Sequence, residues 1–360
     1  MNPRLIAVLA CLAVLAPAPP ARAAERYIEQ SDREFDPRGV RAVEVGNSRG
    51  DVDVTPSPDG RIHVTAVKTC RGKDRAEAQR NAREITVEAA VRGDRCVIVV
   101  HYPKRTDIHV NLWDVFAGRG DSDDWKPHHE LALRLQVPAG LALRAETVSG
   151  DVGVRGLTGR QTLQTTSGDV AVDAAGGVVD VKTVSGDVRA RGAGRAVLRT
   201  TSGDVTAAFA GPLEARTTSG DIDVPSATDS LVLGSTSGDI TVEHSPRSVT
   251  ASTSSGEIDV TSAAGLAALG STSGRVAVNL VAPFRGANLS SSSGDVSVDL
   301  GPGLDATLNL GTTSGDIESD APVVLLAHSR NSLNAKFGRG GAPLRARTVS
   351  GDLHVTSGGR

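Results

Sequence analysis

The tripeptide Ser-Gly-Asp occurs nine times in this chain, ending at Asp151, Asp169, Asp187, Asp204, Asp221, Asp239, Asp295, Asp316 and Asp352. Ser255-Gly256-Glu257 and Ser273-Gly274-Arg275 fill two further places in the series. Successive steps are 17 or 18 residues, then 20 and 21, with a final interval of 36 that reads as two periods. The skipped place falls at Asn334, where Ser332-Leu333-Asn334, followed by Ala335 and Phe337, reads as an altered copy. Self-similarity at a short fixed period is the mark of a repeat architecture, in which each unit buries its apolar face only by stacking on its neighbours.

Aligned on the acidic position, the copies alternate with period two, which is the strand period. The next residue is always Val, Ile or Leu, as in Val152, Val170, Ile222 and Leu353, and two residues on stand Val154, Val172, Val224 and Val355. Six residues before the acidic position the chain is aliphatic or Ala, as in Leu163, Val181 and Leu198, followed by polar Gln164, Lys182 and Arg199. Each repeat therefore reads as two short strands, bent at Ser-Gly-Asp and closed by a second turn such as Gly176-Gly177, Gly211-Pro212 or Ser245-Pro246. The length variation falls in that second turn, where an outer loop grows at little entropic cost. The expected fold is all-β: a parallel β-solenoid of about twelve rungs of ~18 residues, some ~55 Å long, with the right-handed winding that strand crossovers prefer.

In this reading the tripeptide is a corner, with Gly supplying a backbone conformation closed to other residues and Ser and Asp capping nearby amides. A file of carboxylates one strand spacing apart costs up to ~0.9 kcal/mol per neighbour in water. Outward splay or a bound cation relieves it, so calcium is the functional alternative for the column. A single Asp per rung supplies few of the 6–8 oxygens calcium takes, and no nonapeptide calcium-roll motif is present. Four residues before each corner stands Thr or Ser without exception, from Thr147, Thr165 and Thr183 to Thr312 and Thr348. Its parity places it with the buried aliphatics, as a hydroxyl ladder between rungs; ice-binding solenoids stack Thr on an outward face instead.

Composition supports a thin core. Two Trp, two Tyr and five Phe make nine aromatic residues in 360, so the interior must be filled by small and β-branched aliphatics, unlike that of a conventional globular enzyme. Residues 1–23 read as a secretory signal ending at Ala21-Arg22-Ala23. Its removal takes away Arg4 and Arg22, moving the formal charge from −3 to −5 (37 basic minus 42 acidic), with no nucleic-acid footprint and no polybasic membrane patch. No later apolar run approaches the ~20 residues that span a bilayer. The expected location is secreted or periplasmic, with attachment to the cell surface as an option. In an oxidising compartment Cys70 and Cys96 make a candidate disulfide, two free buried thiols being the alternative.

Residues 24–140 read as a β-rich cap ahead of the solenoid at 141–356 and a short tail at 357–360. Strand-like alternation runs through Ala42–Val45, Val52–Val54, Ile62–Val67, Ile85–Ala89, Val97–Val100 and Leu131–Val137, with a short helix at Asp74–Arg83. Gly50-Asp51-Val52 resembles one more corner. The irregular stretch from Lys104 to Glu130 holds Trp113, Trp125, His128 and His129, the candidate binding loop; the His pair matches no standard metal spacing. Three Arg-Gly-Asp tripeptides, ending at Asp51, Asp94 and Asp121, read as turns. There is no nucleophile elbow, zinc-peptidase motif or phosphate loop. No catalytic residue, cofactor site or metal site is assigned.

The run Val137-Pro138-Ala139-Gly140 leading into Thr147-Val148-Ser149-Gly150-Asp151-Val152, followed by recurrent Thr-Thr-Ser-Gly-Asp-Val/Ile, resembles a bacterial family catalogued as domain of unknown function 4097. That family carries the label "putative adhesin", and the likeness covers nearly all of residues 40–355. It implies an extracytoplasmic β-solenoid without established activity. The expectation is a non-catalytic scaffold that meets an envelope or surface protein or a glycan, and that self-associates through its open C-terminal edge. The alternative is a polysaccharide-binding or polysaccharide-cleaving β-helix.

Overall fold

The computed structural model describes residues 25–103 and 129–358. The N-terminal strands are β1 (Glu25–Phe35), β2 (Ala42–Arg49), β3 (Val52–Pro56), β4 (Ile62–Gly72), β5 (Thr86–Arg92), β6 (Arg95–His101), β7 (His129–Val137), β8 (Ala142–Ser149) and β9 (Val152–Arg155), with helix α1 at Arg75–Glu84. Eleven short strands, β10 to β20, follow from Gln161 to Thr253. The remainder are β21 (Ile258–Ser271), β22 (Val276–Ser291), β23 (Val296–Leu300), β24 (Ala306–Gly311), β25 (Ile317–Ser319), β26 (Val323–Ser329), β27 (Ser332–Phe337), β28 (Ala342–Arg347) and β29 (Leu353–Ser357).

The period-two pattern produces two ladders of parallel strands, one formed by the strands that lead into the corners and one by the strands that leave them. Leu143, Leu163, Val181, Leu198 and Leu233 turn inward from the leading sheet, and Val152, Val170, Val188, Val205 and Ile222 from the trailing sheet; all are buried. Strand partners sit in the register the repeat dictates: Leu163 lies opposite Ala145 and Val181, and Val170 opposite Val152 and Val188. A mostly parallel, solenoid-like all-β fold results. β21 and β22 run without a break from the trailing sheet into the leading one, with register shifts where they bend.

The ends depart from sequence order. At the C-terminal end β28 pairs with β22 on one side and β24 on the other, and β29 likewise lies between β23 and β25. The last coil, 342–357, is thus inserted between the coil ending at β23 and the coil of β24 and β25. The expected rung at Asn334 is not a rung: β27 runs antiparallel to β24 and pairs Asn334 with Asn309, and β26 adds to it antiparallel. Alternation alone carries no strand direction, and Leu333 and Ala335 face inward equally well in a hairpin.

The N-terminal end mirrors this arrangement. The coil of β2 and β3 lies between β8 and β9 on one side and the later segments β6 and β7 on the other. The first coil therefore belongs to the same stack as the repeats, and β4, β1 and β5 extend the sheets antiparallel beyond it. Helix α1 covers this end, burying Ala78 and Ala82. It starts where expected: Asp74 Oδ1 accepts from Glu77 N (2.8 Å) and Glu77 Oε2 accepts from Lys73 N (2.7 Å), a reciprocal cap.

Cys70 and Cys96 are free and buried, one in β4 and one in β6, in place of the candidate disulfide. Cys70 lies opposite Tyr27 and His129, and Cys96 opposite Val43 and Val91. Burial pushes both thiols up to about 11, so they are neutral at physiological pH.

Candidate interaction surface

Two of the repeated polar positions, the corner Asp and the Thr four residues before it, are committed to the stack; the corner Ser, expected to cap an amide, is exposed at Ser167, Ser185 and Ser219 and uses only its backbone N–H there. Each corner aspartate from Asp151 to Asp239 accepts, through Oδ1, the backbone N–H of the corner residue one coil further on. Asp169 N donates to Asp151 (2.9 Å), Asp187 N to Asp169 (2.9 Å), Asp204 N to Asp187 (3.1 Å), Asp221 N to Asp204 (2.9 Å), Asp239 N to Asp221 (2.8 Å) and Glu257 N to Asp239 (2.7 Å). The file then follows spatial order, with Asp352 N on Asp295 (2.9 Å) and Asp316 N on Asp352 (2.8 Å). Where Glu257 and Arg275 replace Asp, Arg275 Nε donates to Glu257 Oε1 at 2.6 Å. Amide donors and arginines, among them Arg189 at 3.1 Å from Asp187, thus offset part of the like-charge cost of the column.

The Thr column works the inner side of the same corner. Thr165 Oγ1 accepts from Gly168 N (3.1 Å) and donates to Gly150 O (3.4 Å), a pattern repeated down the stack as far as Thr312 and Thr348. The reason for glycine differs from the expected one. The corner glycines after Gly50 are outside the left-handed region; a Cβ on Gly168 would instead stand 1.9 Å from Gly150 O, and one on Gly220 1.9 Å from Gly203 O. Coils touch backbone to backbone at the corner, so only a residue without a side chain fits.

Two residues that the repeat pattern missed close the first coil. Asn47 stands four before Asp51, in the Thr column, and its Nδ2 donates to Gly50 O (2.9 Å) and Leu131 O (2.8 Å). Tyr102 donates its hydroxyl to Asn47 Oδ1 (3.0 Å). Extending the alignment to Asp51 would have exposed Asn47; Tyr102 carries no periodic signal. Thr147, the next member of the column, has a buried hydroxyl without a partner among the described residues.

What remains for a ligand is the outward face, which changes from coil to coil. On the trailing sheet Arg134, Asp53 and Gly153 lie in register, and Thr55 lies opposite Gln136; with Arg155 they line a shallow cleft of about 230 Å³. Further along come Arg189 and Arg191, then acidic Asp223, Glu243, Asp259 and Asp299. Burial, followed by the nearby Glu243 charge, raises the Asp223 carboxyl above the usual carboxylate range. On the leading sheet charge gives way to a small, neutral area where Val232, Thr250, Ala268 and Asn288 follow one another in register, as do Gly234, Ser252, Gly270 and Ser290.

Other sequence candidates fall elsewhere. Trp113, Trp125 and His128 lie outside the described residues, and His129 opens β7. Among the described residues one set of His, Cys, Asp and Glu has ligand atoms within 4.8 Å of one another: Glu34, Asp59 and His63. It is exposed, and ion pairs from Glu34 to Arg61 and from Asp59 to His63 (2.9 Å) already satisfy it. Arg49-Gly50-Asp51 is the first corner, with Gly50 pressed beneath the Leu131 carbonyl, and Arg92-Gly93-Asp94 is the β5–β6 turn. No helix of the described residues is long and apolar enough to cross a membrane.

A family model described as Toastrack DUF4097 matches residues 40–262 and again 199–356, the overlap reflecting the self-similarity of the coils. No curated protein matches the chain. Among solved structures it is similar to a putative cell adhesion protein from Clostridium sporogenes (7% identity, 92% of this chain and 100% of that one, TM-score 0.20). It is also similar to a putative lipid binding protein from Parabacteroides distasonis (14% identity, 91% and 96% covered, TM-score 0.32). A putative adhesin from Bacteroides fragilis aligns at 12% identity, with 92% and 97% covered and a TM-score of 0.25. Scores this low carry no argument about function.

Proposed function

The chain belongs to the Toastrack DUF4097 family, and from that premise we propose that it is a non-catalytic scaffold outside the cytoplasm, presenting its outer face for adhesion or for contact with a cell-envelope partner. One observation carries this reading. The corner Asp Oδ1 and the Thr hydroxyl that recur from coil to coil are taken up by bonds within the stack, so these repeated groups build a rod, and the side chains that face outward along its strands differ from level to level. We read the winding as right-handed, on the general preference of parallel crossovers.

A polysaccharide ligand is the second reading, favoured by the cleft between β7, β3 and β9, where Asp53, Arg134, Gln136 and Arg155 line the wall. Asp53 is the one carboxylate lining it, whereas acid–base glycoside cleavage uses two. The test is a glycan array paired with a reducing-sugar release assay on purified protein. Retention on a surface glycan or envelope extract without sugar release supports the scaffold; release of reducing ends from any glycan overturns it.

A further inference from the structure

The two ends of the rod are finished differently. At the N-terminal end α1 packs on β4 and β1, and the β1 edge carries Glu25, Arg26, Glu29, Asp32, Arg33 and Glu34. Charges along an edge are a standard way of preventing another strand from adding to it. At the C-terminal end the outermost strand of the leading sheet is β26, which pairs only with β27 among the described residues. Its first five residues, Val323-Val324-Leu325-Leu326-Ala327, carry no charge and no alternation and are followed by exposed His328 and Ser329; Val324, Leu325 and Leu326 are 62%, 58% and 55% exposed. The leading sheet runs two strands beyond β24, whereas the trailing sheet stops at β25. Val323 and Leu325, on the same side as buried Ala335, therefore have no opposing strand.

We propose that β26 is the seam of a two-fold dimer, pairing antiparallel with β26 of a second copy of this chain. The charges flanking the strand select that partner. Asp320 precedes it and exposed Arg330 follows it, each five residues from Leu325. An antiparallel pair centred on Leu325 brings Asp320 of each copy to the end of the seam where Arg330 of the other lies, and joins neutral apolar side chains between them. Beside it Glu318 of β25 and the following Asp320 flank His354 (3.6 and 3.7 Å) and stay 74% and 75% exposed, an acidic edge that opposes an anionic bilayer but suits the basic β26–β27 turn of a second copy. A seven-residue seam buries less than the ~800 Å² per partner of a standard interface, so the dimer forms reversibly in the micromolar range. The pairing would leave the outer faces of both rods free, whatever ligand they hold.

Sedimentation velocity on the full mature chain tests this, from about 1 to about 200 µM. The wild type should shift from monomer to dimer across that range, and Leu325→Lys should remain monomeric throughout. Asp320→Arg and Arg330→Asp should each weaken association tenfold or more, and the double exchange should restore it, which a merely structural role for either residue would not produce. The three positions are exposed, and the exchange pair still decides the matter if Leu325→Lys fails to fold. A wild type monomeric at every concentration, a Leu325→Lys dimer, or a double exchange without recovery overturns the proposal. So does a monomer that sediments with phosphatidylserine vesicles, which would assign β26 to lipid.

Discussion

Replacing Gly220 by Ala places a methyl 1.9 Å from Gly203 O and 2.5 Å from its carbonyl carbon. The obstacle is backbone, so the coils must separate locally by more than 1 Å to reach ordinary contact. Among the bonds that span that junction are Asp221 N to Asp204 Oδ1 (2.9 Å), Thr217 Oγ1 to Gly203 O (3.2 Å) and Ser219 N to Thr201 O (2.9 Å). Separation on that scale breaks them, at about 1 kcal/mol each. Overpacking adds about 1–3 kcal/mol, and the smaller unfolded-state entropy of Ala returns about 0.4–1. The expected net loss is about 3–5 kcal/mol, a large share of the ~5–15 kcal/mol that a folded domain commands. Gly176→Ala is the control, because its Cβ meets nothing within 4 Å and its backbone lies outside the left-handed region. Urea unfolding followed by circular dichroism reads both variants, and hydrogen exchange locates the weakened junction between coils. If Gly220→Ala costs no more than Gly176→Ala, backbone contact at the corner is not what demands glycine, and the account of the motif fails.

Thr200→Val should cost about 1–3 kcal/mol in the same assay, because it strands Gly203 N–H and Gly186 O in a buried site, while Thr200→Ser should behave like wild type, as Ser235 and Ser271 do in their coils. Cys70 and Cys96 should resist a thiol reagent in the folded chain and both react after denaturation. Because burial raises their folded values from 9.0 to about 11, the stability they contribute is fully present below pH 9 and is lost as pH rises toward 11, which alkaline urea titrations would show. For Asp223 the folded value is likewise raised, so its favourable contribution exists in acid and disappears as the carboxyl ionises. Asp223→Asn should therefore raise the urea midpoint at pH 7 and lose that advantage near pH 3.

Much of the fold was legible because stacking forces the same constraint on every coil. Val152, Leu163 and Val170 announce their inward direction by spacing alone, and Asp74 with Glu77 announces the helix start. Coil order at the ends was not legible. Inward faces of Val, Leu and Ala are nearly interchangeable, so nothing in residues 342–357 states whether they stack on 306–319 or slip beneath them. Ala335 and Phe337 fit an antiparallel hairpin as well as a rung. Compartment and an even number suggest a Cys70–Cys96 pair, but neither measures distance. The outer face is the least legible part, since a residue facing solvent answers to its ligand and leaves no period.

Because the coil at 342–357 is clasped on both sides, the last described coil of the chain lies inside the stack and not at its outermost level. A tug on Ser357 must shear β29 from β23 and β25 together before anything unravels, much as a back-stitched thread resists pulling where a running stitch gives way. Tension applied at this end therefore loads the ladder in shear, its strong direction.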